Sequence, residues 1–408
     1  MRPLNEAQAE VLSSVPLLSE VEVPLTESLG LALSRPVTAP HPVPPFANSA
    51  MDGYAVRAGD LQQAPVRLRV LEDVPAGRVP TRSVDPGTAI KIMTGAPIPA
   101  GADAVVRVED TEPENGLVNI VVSVPAGTSV RPAGGDVEAG DQVLSAGVRL
   151  GPAQIGVLAN LGVAHPQVHR RPRVAIASTG DELVEVDGPP LGPGQIRDSN
   201  RPMLIAALRE LGVDVVDLGH IPDDAEALRR GLARGASEAD VIVTSGGVSM
   251  GEYDLVKAVL GELGEVGFWQ VAMQPAKPFA FGRVEGVPFF GLPGNPVSSF
   301  VAFEQFLRPA LLQMMGSTRL FRPRVPGRTR SRLETDPAKT VFLRVRTVLE
   351  GNERWAEPSG HQASNVLSAV ASGDAFAVVA AGIGVIEAGG EVTLEMFRWP
   401  ESRGIDEL

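Results

Sequence analysis

Between residues 173 and 314 apolar patterning switches repeatedly between strand-type and helix-type periods, and few architectures accept that order. Residues 174–178 form a buried-type strand pattern, and 203–211 place Leu204, Ile205, Leu208 and Leu211 on one helical face. A strand over 213–218, a helix over 224–234 and a strand over 241–244 follow. Next come a helix over 255–263, strands over 279–281 and 287–291, and a long helix over 297–314. Strands joined through helices must run mostly parallel, so this segment predicts a doubly wound sheet with helices on both faces.

The flanks cannot belong to that sheet. Pro36, Pro40, Pro42, Pro44 and Pro45 remove amide donors at nearly every second position, which excludes helix and central strand and predicts an extended linker. Residues 56–143 then show short β-branched runs between Gly and Pro turns, as a small β module would. A short helix is expected over 151–161, and the run Arg170, Arg171, Arg173 reads as a solvated junction. Beyond Pro323 the pattern returns to strands at 341–345, 376–379 and 391–396. The expected class is multidomain α/β plus β, and 408 residues at ~150 per domain allow roughly two to four domains.

A formal charge of −13 disfavours nucleic acid and acidic membrane as partners, so an anionic ligand needs local features to hold it. The absence of Cys excludes disulfides, thiolate catalysis and zinc–cysteine or iron–sulfur sites. Neither a signal peptide nor a membrane span is expected, since Met-Arg-Pro-Leu-Asn-Glu opens without an apolar run and residues 375–386 are too short to cross a bilayer. A cytoplasmic protein is the expectation. His165 and His169 are separated by Pro166, which blocks a helical zinc pair, and His41, His220 and His361 are scattered.

In a doubly wound sheet ligands sit beyond the carboxyl ends of the strands. The loops there carry Thr179, Gly180, Asp181 and Glu182, then Asp223, then Ser245, Gly246, Gly247, Ser249 and Asp254, and finally Pro293, Asn295 and Pro296. Gly246-Gly247 ahead of a helix offers backbone amides to a phosphate. Glu182, Asp223 and Asp254 would repel that phosphate unless a hard cation such as Mg²⁺ lies between them. Lys277 is a candidate counter-charge for an oxyanion. Plainer readings stand beside these: Asp223 or Asp254 as helix caps, Asp181 as a turn residue, Lys277 as a surface lysine, and Leu292-Pro-Gly-Asn-Pro296 as a rigid turn.

Five ordered motifs carry a resemblance. Asn48-Ser-Ala-Met-Asp-Gly-Tyr-Ala55, Ile92-Met-Thr-Gly-Ala-Pro97, Ser178-Thr-Gly-Asp-Glu-Leu183, Ser245-Gly-Gly-Val-Ser-Met-Gly-Glu-Tyr-Asp254 and Leu292-Pro-Gly-Asn-Pro-Val-Ser298 resemble the successive signatures of the MoeA family, the bacterial molybdopterin molybdenumtransferases related to the gephyrin E domain. The α/β segment alone is also similar to molybdopterin adenylyltransferases, and the N-terminal motifs set the chain apart from them.

The resemblance implies an enzyme of molybdenum cofactor biosynthesis. It would insert molybdenum from molybdate into adenylylated molybdopterin and release AMP with Mg²⁺; a scaffold without turnover and an adenylyltransferase are the alternatives. It further implies an elongated homodimer with a shared active site and substrate handover from a molybdopterin adenylyltransferase. The implied domains are 1–46 with 141–172, a projecting β-rich 47–140, a molybdopterin-binding 173–318 and a C-terminal β domain 319–408. Active-site residues carried over are Asp52, Thr94, Asp136, Glu182, Asp223, Asp254 and Lys277, with Glu182, Asp223 and Asp254 as metal ligands. Pro293 and Pro296 would line the site, with Arg344 and Ser364 contributed from the last domain. Gln274 stands where relatives often carry Lys, and Ala47 where they often carry Asp.

Overall fold

The computed structural model describes residues 1–247 and 253–399. Its central sheet contains β1 (Arg173–Thr179), β2 (Asp214–Ile221), β3 (Val241–Ser245), β4 (Gly264–Gln270), β5 (Pro278–Val284) and β6 (Val287–Leu292). The strands lie in the order β2-β1-β3-β6-β5-β4. The first four are parallel, and β5 and β4 complete the sheet antiparallel. Helices α1 (Asn200–Leu211), α2 (Ala225–Glu238), α3 (Tyr253–Leu263) and α4 (Pro296–Ala302) connect and cover it, and α4 runs through a π-helical stretch, Phe303–Leu307, into α5 (Arg308–Met314).

Side-chain alternation explains why both faces are covered. Val174 and Ile176 of β1, with Val241 and Val243 of β3, enter a core shared with α1, α4 and α5. Ala177 and Ile242 point to the other face, against Leu228 and Leu232 of α2 and Val259 and Leu260 of α3. The first core is continuous with Ala7 and Val11 of the N-terminal helix Leu4–Ser14 and with Phe342 and Phe376 of the C-terminal region. Those three parts therefore pack as one body.

The β module has its own core. Its six strands order as 104–107, 53–56, 88–92, 66–74, 117–120 and 111–114, with Tyr54 and Val56 on one face and Ala55 on the other. The proline-rich segment does not run alone. Val37–Thr38 pairs antiparallel with Gln142–Leu144, and Asn48–Ser49 with Val130–Arg131, so an outgoing and a returning strand carry the module. At the other end, strands 324–329, 340–350, 353–358, 375–379 and 391–396 close into a barrel, because 340–350 pairs with both 353–358 and 375–379. Met273–Gln274 adds parallel to Thr340–Val341 and ties the α/β sheet to that barrel.

Two expectations are corrected. Arg173 is exposed, but Arg170 and Arg171 are half-buried and engaged: Arg170 forks onto Asp240 at 2.7 and 2.6 Å, and Arg171 donates to the carbonyls of Gly212, Glu27 and Leu29. They fasten the N-terminal segment to the sheet domain. Asp223 is not a helix cap, since Asp224 takes that place by accepting from the Ala227 amide at 2.8 Å. No helix among the described residues is long and apolar enough to cross a membrane.

Candidate active site

Leaving β1, the chain passes to β2 on one side, while β3 lies on the other, so the strand order reverses between β1 and β3. A cleft of about 570 Å³ opens there, as expected for a topological switch point. Thr179 and Glu182 after β1, Ser245, Gly246 and Gly247 after β3, and Pro293, Asn295 and Pro296 after β6 line it. These loops were all expected from the strand-end rule.

Gly246 is required by the local geometry. Its φ is +100°, and a Cβ there would stand 2.5 Å from the Thr179 carbonyl oxygen. Its amide donates to the Leu292 carbonyl at 3.0 Å, which joins the β3 loop to the end of β6. The loops thereby press together over one hollow.

The opposite wall was not anticipated. Asp198, Ser199 and Asn200, entering α1, also line the cleft. Asn200 Nδ2 donates to Ser245 Oγ at 2.8 Å and to the Gly294 carbonyl at 2.6 Å, clamping two loops. Ser178 Oγ donates to the buried Asp198 carboxylate at 2.6 Å, and Arg201 Nε donates to it at 3.1 Å. Arg201 Nη1 also donates to both Asp217 oxygens at 2.7 and 2.6 Å and Nη2 donates to Glu185, so one buried guanidinium holds three carboxylates behind the wall. Thr179 Oγ1 and Asn200 Oδ1 are buried without a hydrogen-bond partner. Buried polar atoms are seldom left unpaired, which sets these two apart from their neighbours on the adjoining walls.

Family profiles match the chain from end to end: "MoeA N-terminal region (domain I and II)" over residues 2–162, "Probable molybdopterin binding domain" over 175–313 and "MoeA C-terminal region (domain IV)" over 326–397. The molybdopterin molybdenumtransferase of Haemophilus influenzae is 38% identical over 401 residues, covering 97% of this chain and 99% of that protein. The chain belongs to the MoeA family. Molybdopterin molybdenumtransferase 2 of Mycobacterium tuberculosis is 43% identical over 90% of each chain. A crystal structure titled as a molybdopterin biosynthesis MoeA protein from Pyrococcus horikoshii superposes with a TM-score of 0.78 at 34% identity, covering 97% of this chain and 99% of that one.

The remaining motif residues of this MoeA-family chain fall in different places. Asp181 and Asp223 exchange bonds, each amide donating to the other's carboxylate at 3.4 and 3.1 Å, which sets the Asp223 loop beside the Glu182 loop. Lys277 is exposed next to Pro278 of the cleft wall. Ser249 and the side chain of Asp254 lie outside the described residues. No group of three His, Asp or Glu side chains stands close enough to hold a metal among the described residues.

Asp52 and Thr94 meet each other but not this cleft. Thr94 donates to Asp52 Oδ1 through its amide and its hydroxyl, both at 2.7 Å, and these two bonds hold the carboxyl below the usual aspartate range. Asp136 belongs to the returning arm of the stalk, its amide donating to the Val43 carbonyl at 3.0 Å. No residue of the β module lines the cleft within one chain.

Arg344 is buried in the barrel beneath the segment that ends in the cleft residue Asn365. Burial lowers its guanidinium to about 10; Nη1 and Nη2 reach only carbonyls, those of Phe342 and Ala363, and Nε has no partner. Ser364 supplies a carbonyl to the Val297 amide at 3.1 Å, seating the barrel on the start of α4.

Proposed function

We propose that this chain takes adenylylated molybdopterin and molybdate, inserts molybdenum at the dithiolene and releases AMP with Mg²⁺. The observation that carries this reading is the switch-point cleft, with Gly246-Gly247 on one wall and the unpartnered Thr179 and Asn200 oxygens on others. Backbone amides at Gly246 and Gly247 would hold a phosphate of the adenylate. The Thr179 hydroxyl would donate to a ligand oxygen, and Asn200 Oδ1 would accept from a ligand N–H or O–H.

Glu182, Asp223 and Asp254 offer only oxygen donors, the set a hard divalent ion takes, and are the residues that would hold Mg²⁺. Mg²⁺, when bound, supplies neutralising charge between those carboxylates and the phosphoanhydride. Lys277 would hold molybdate from the rim by charge. Water cleaves the phosphoanhydride to give AMP and molybdopterin that keeps its own phosphate; the two dithiolene sulfurs then bind molybdenum as their two protons leave with one molybdate oxygen as water. Asp52, with its carboxyl kept ionised by Thr94, would orient the incoming groups from the facing module.

The working unit in this reading is a cytoplasmic homodimer, each chain divided at 1–46 with 141–172, 47–140, 173–318 and 319–408. Its substrate would be handed on by a molybdopterin adenylyltransferase. Mixing the protein with adenylylated molybdopterin, molybdate and Mg²⁺ should yield AMP and active cofactor together, and ATP should not replace the adenylate. AMP release that persists undiminished in excess EDTA would remove the metal from the mechanism.

Gln274 adds no charge beside Lys277, and both are exposed. Gln274→Lys should therefore tighten molybdate binding and steepen its salt dependence. Equal molybdate affinity in both proteins at low and high salt would show that position 274 does not face the oxyanion.

A further inference from the structure

A second cleft, of about 470 Å³, shares no residue with the first. It opens where the end of α1, the α4–α5 rod, Arg149 ahead of the helix Pro152–Asn160, Arg322 and residues 397–399 after the last barrel strand converge, and its size is within the ~300–1,000 Å³ of small-molecule sites. Its charge is unusual for a chain of −13: Arg149, Arg308, Arg322 and Arg398 face Glu210 and Glu304.

Arg398 is already engaged with Asp374 at 3.0 Å. Two of the other three, Arg322 and Arg308, share one buried carboxylate, Glu304. Arg322 forks onto Glu304 at 2.9 Å through both Nε and Nη2, and Arg308 Nε stands 3.7 Å from the same group. Arg149 uses Nε and Nη2 on the carbonyls of Gly30 and Leu211, each at 2.8 Å. This leaves Arg149 Nη1, Arg308 Nη2 and Arg322 Nη1 without an acceptor among the described residues.

Like charges gathered at a junction repel unless an anion lies between them. Burial lowers the Arg308 guanidinium to about 10, with repulsion from Arg322 and Arg149 set against attraction from Glu304 and Glu210, so the two carboxylates only partly offset the three arginines. Beside the arginines the cleft is aromatic: Phe300 and Phe397 meet edge to face at 5.6 Å, and Trp399 is exposed. Guanidinium groups suit the oxygens of a tetrahedral dianion, and a bare ion would leave the aromatic side unused.

We propose that this cleft is a binding site for an aromatic phosphate monoester, its phosphate held by Arg149, Arg308 and Arg322 and its ring against Phe300, Phe397 and Trp399. The proposal does not depend on the reaction assigned to the first cleft. Two rival occupants are visible in the chemistry. One is the chain's own end, which carries Glu401, Asp406 and Glu407 soon after Trp399; the other is a carboxylate from a second copy.

The test is calorimetric titration of the full chain with phenyl phosphate, inorganic phosphate and molybdate at constant ionic strength. One equivalent of phenyl phosphate should bind per chain, more tightly than either inorganic ion. Arg149→Met and Arg308→Met should each weaken it at least ~10-fold, the scale of a lost charge-assisted hydrogen bond. Arg149→Lys should recover part of the loss, and Glu182→Gln, in the other cleft, should change nothing.

Binding that survives both arginine-to-methionine changes, or that disappears with Glu182→Gln, overturns the proposal. So does an absence of binding to the native chain. If binding appears only after Glu401→Gln, Asp406→Asn and Glu407→Gln together, the tail is the occupant. If no ligand binds and Arg149→Met shifts the sedimentation coefficient, a second copy is.

Discussion

Gly246→Ala is expected to cost about 1–3 kcal/mol in stability from backbone strain alone and to lower cofactor formation at least ~10²-fold. At φ +100° an alanine sits outside the favoured backbone regions, and its Cβ would meet the Thr179 carbonyl oxygen at 2.5 Å. Relief requires the β3 loop to move away from β1, which separates Ser245 from the Asn200 clamp and misplaces the Gly246 and Gly247 amides. Gly261→Ala is the control. That glycine lies in α3 with nothing within 4 Å of the added methyl, so the change should be neutral or stabilise by about 0.5–1 kcal/mol. Denaturation midpoints and AMP release would be measured on both. Wild-type turnover in Gly246→Ala would remove the β3 loop from the ligand-binding surface.

The sheet was legible because its strands are buried on both faces. Such strands read as unbroken apolar runs, as in Val174–Ala177 and Val241–Val243, and the helices between them show a 3.6-residue stripe. What escaped notice is what lies at an edge or on a half-wet face. β4, Gly-Glu-Val-Gly-Phe-Trp-Gln, has glycines and an acid because only one neighbour pairs with it. Barrel strands Arg324–Thr329 and Glu353–Pro358 mix charged residues, Pro and Gly or Ala without a clean two-residue alternation, and Arg328 meets Glu353 at 3.3 Å. Their pattern resembles that of surface loops.

The site was legible where a loop follows a strand end, and illegible where long-range packing supplies the residue. Asp198-Ser-Asn200 precedes an amphipathic helix and reads as capping chemistry. Only the fold shows that Asn200 reaches Ser245, 45 positions away in sequence, and that Arg201 gathers Asp217 and Glu185 behind it. The anchoring contacts of Arg170 and Arg171 are hidden for the same reason. Their acceptors are a distant carboxylate and four backbone carbonyls, and carbonyls leave no mark in a sequence.

Mixing Asp52→Ala with Glu182→Ala subunits in equal amounts should restore about a quarter of wild-type sites, although each variant alone should lose at least ~10²-fold. The reason lies in how the module is carried. The Asp52–Thr94 pair sits on a sheet with its own core, held away from the body by two antiparallel arms, and no module residue lines the cleft of its own chain. Two arms paired to each other resist bending more than one would, so the pair is better placed to meet a second copy's cleft than its own. In a two-fold dimer each site then takes Asp52 from one chain and Glu182 from the other. A mixed dimer puts both defects in one site and leaves the other whole; half the dimers are mixed, and half of their sites work. Were both carboxylates used from the same chain, every site would carry one defect, and mixing would recover nothing. Recovery is read as AMP release after subunit exchange, with unmixed variants treated alike. A value at the unmixed baseline, with exchange verified by mass-tagged subunits, rules out the shared site.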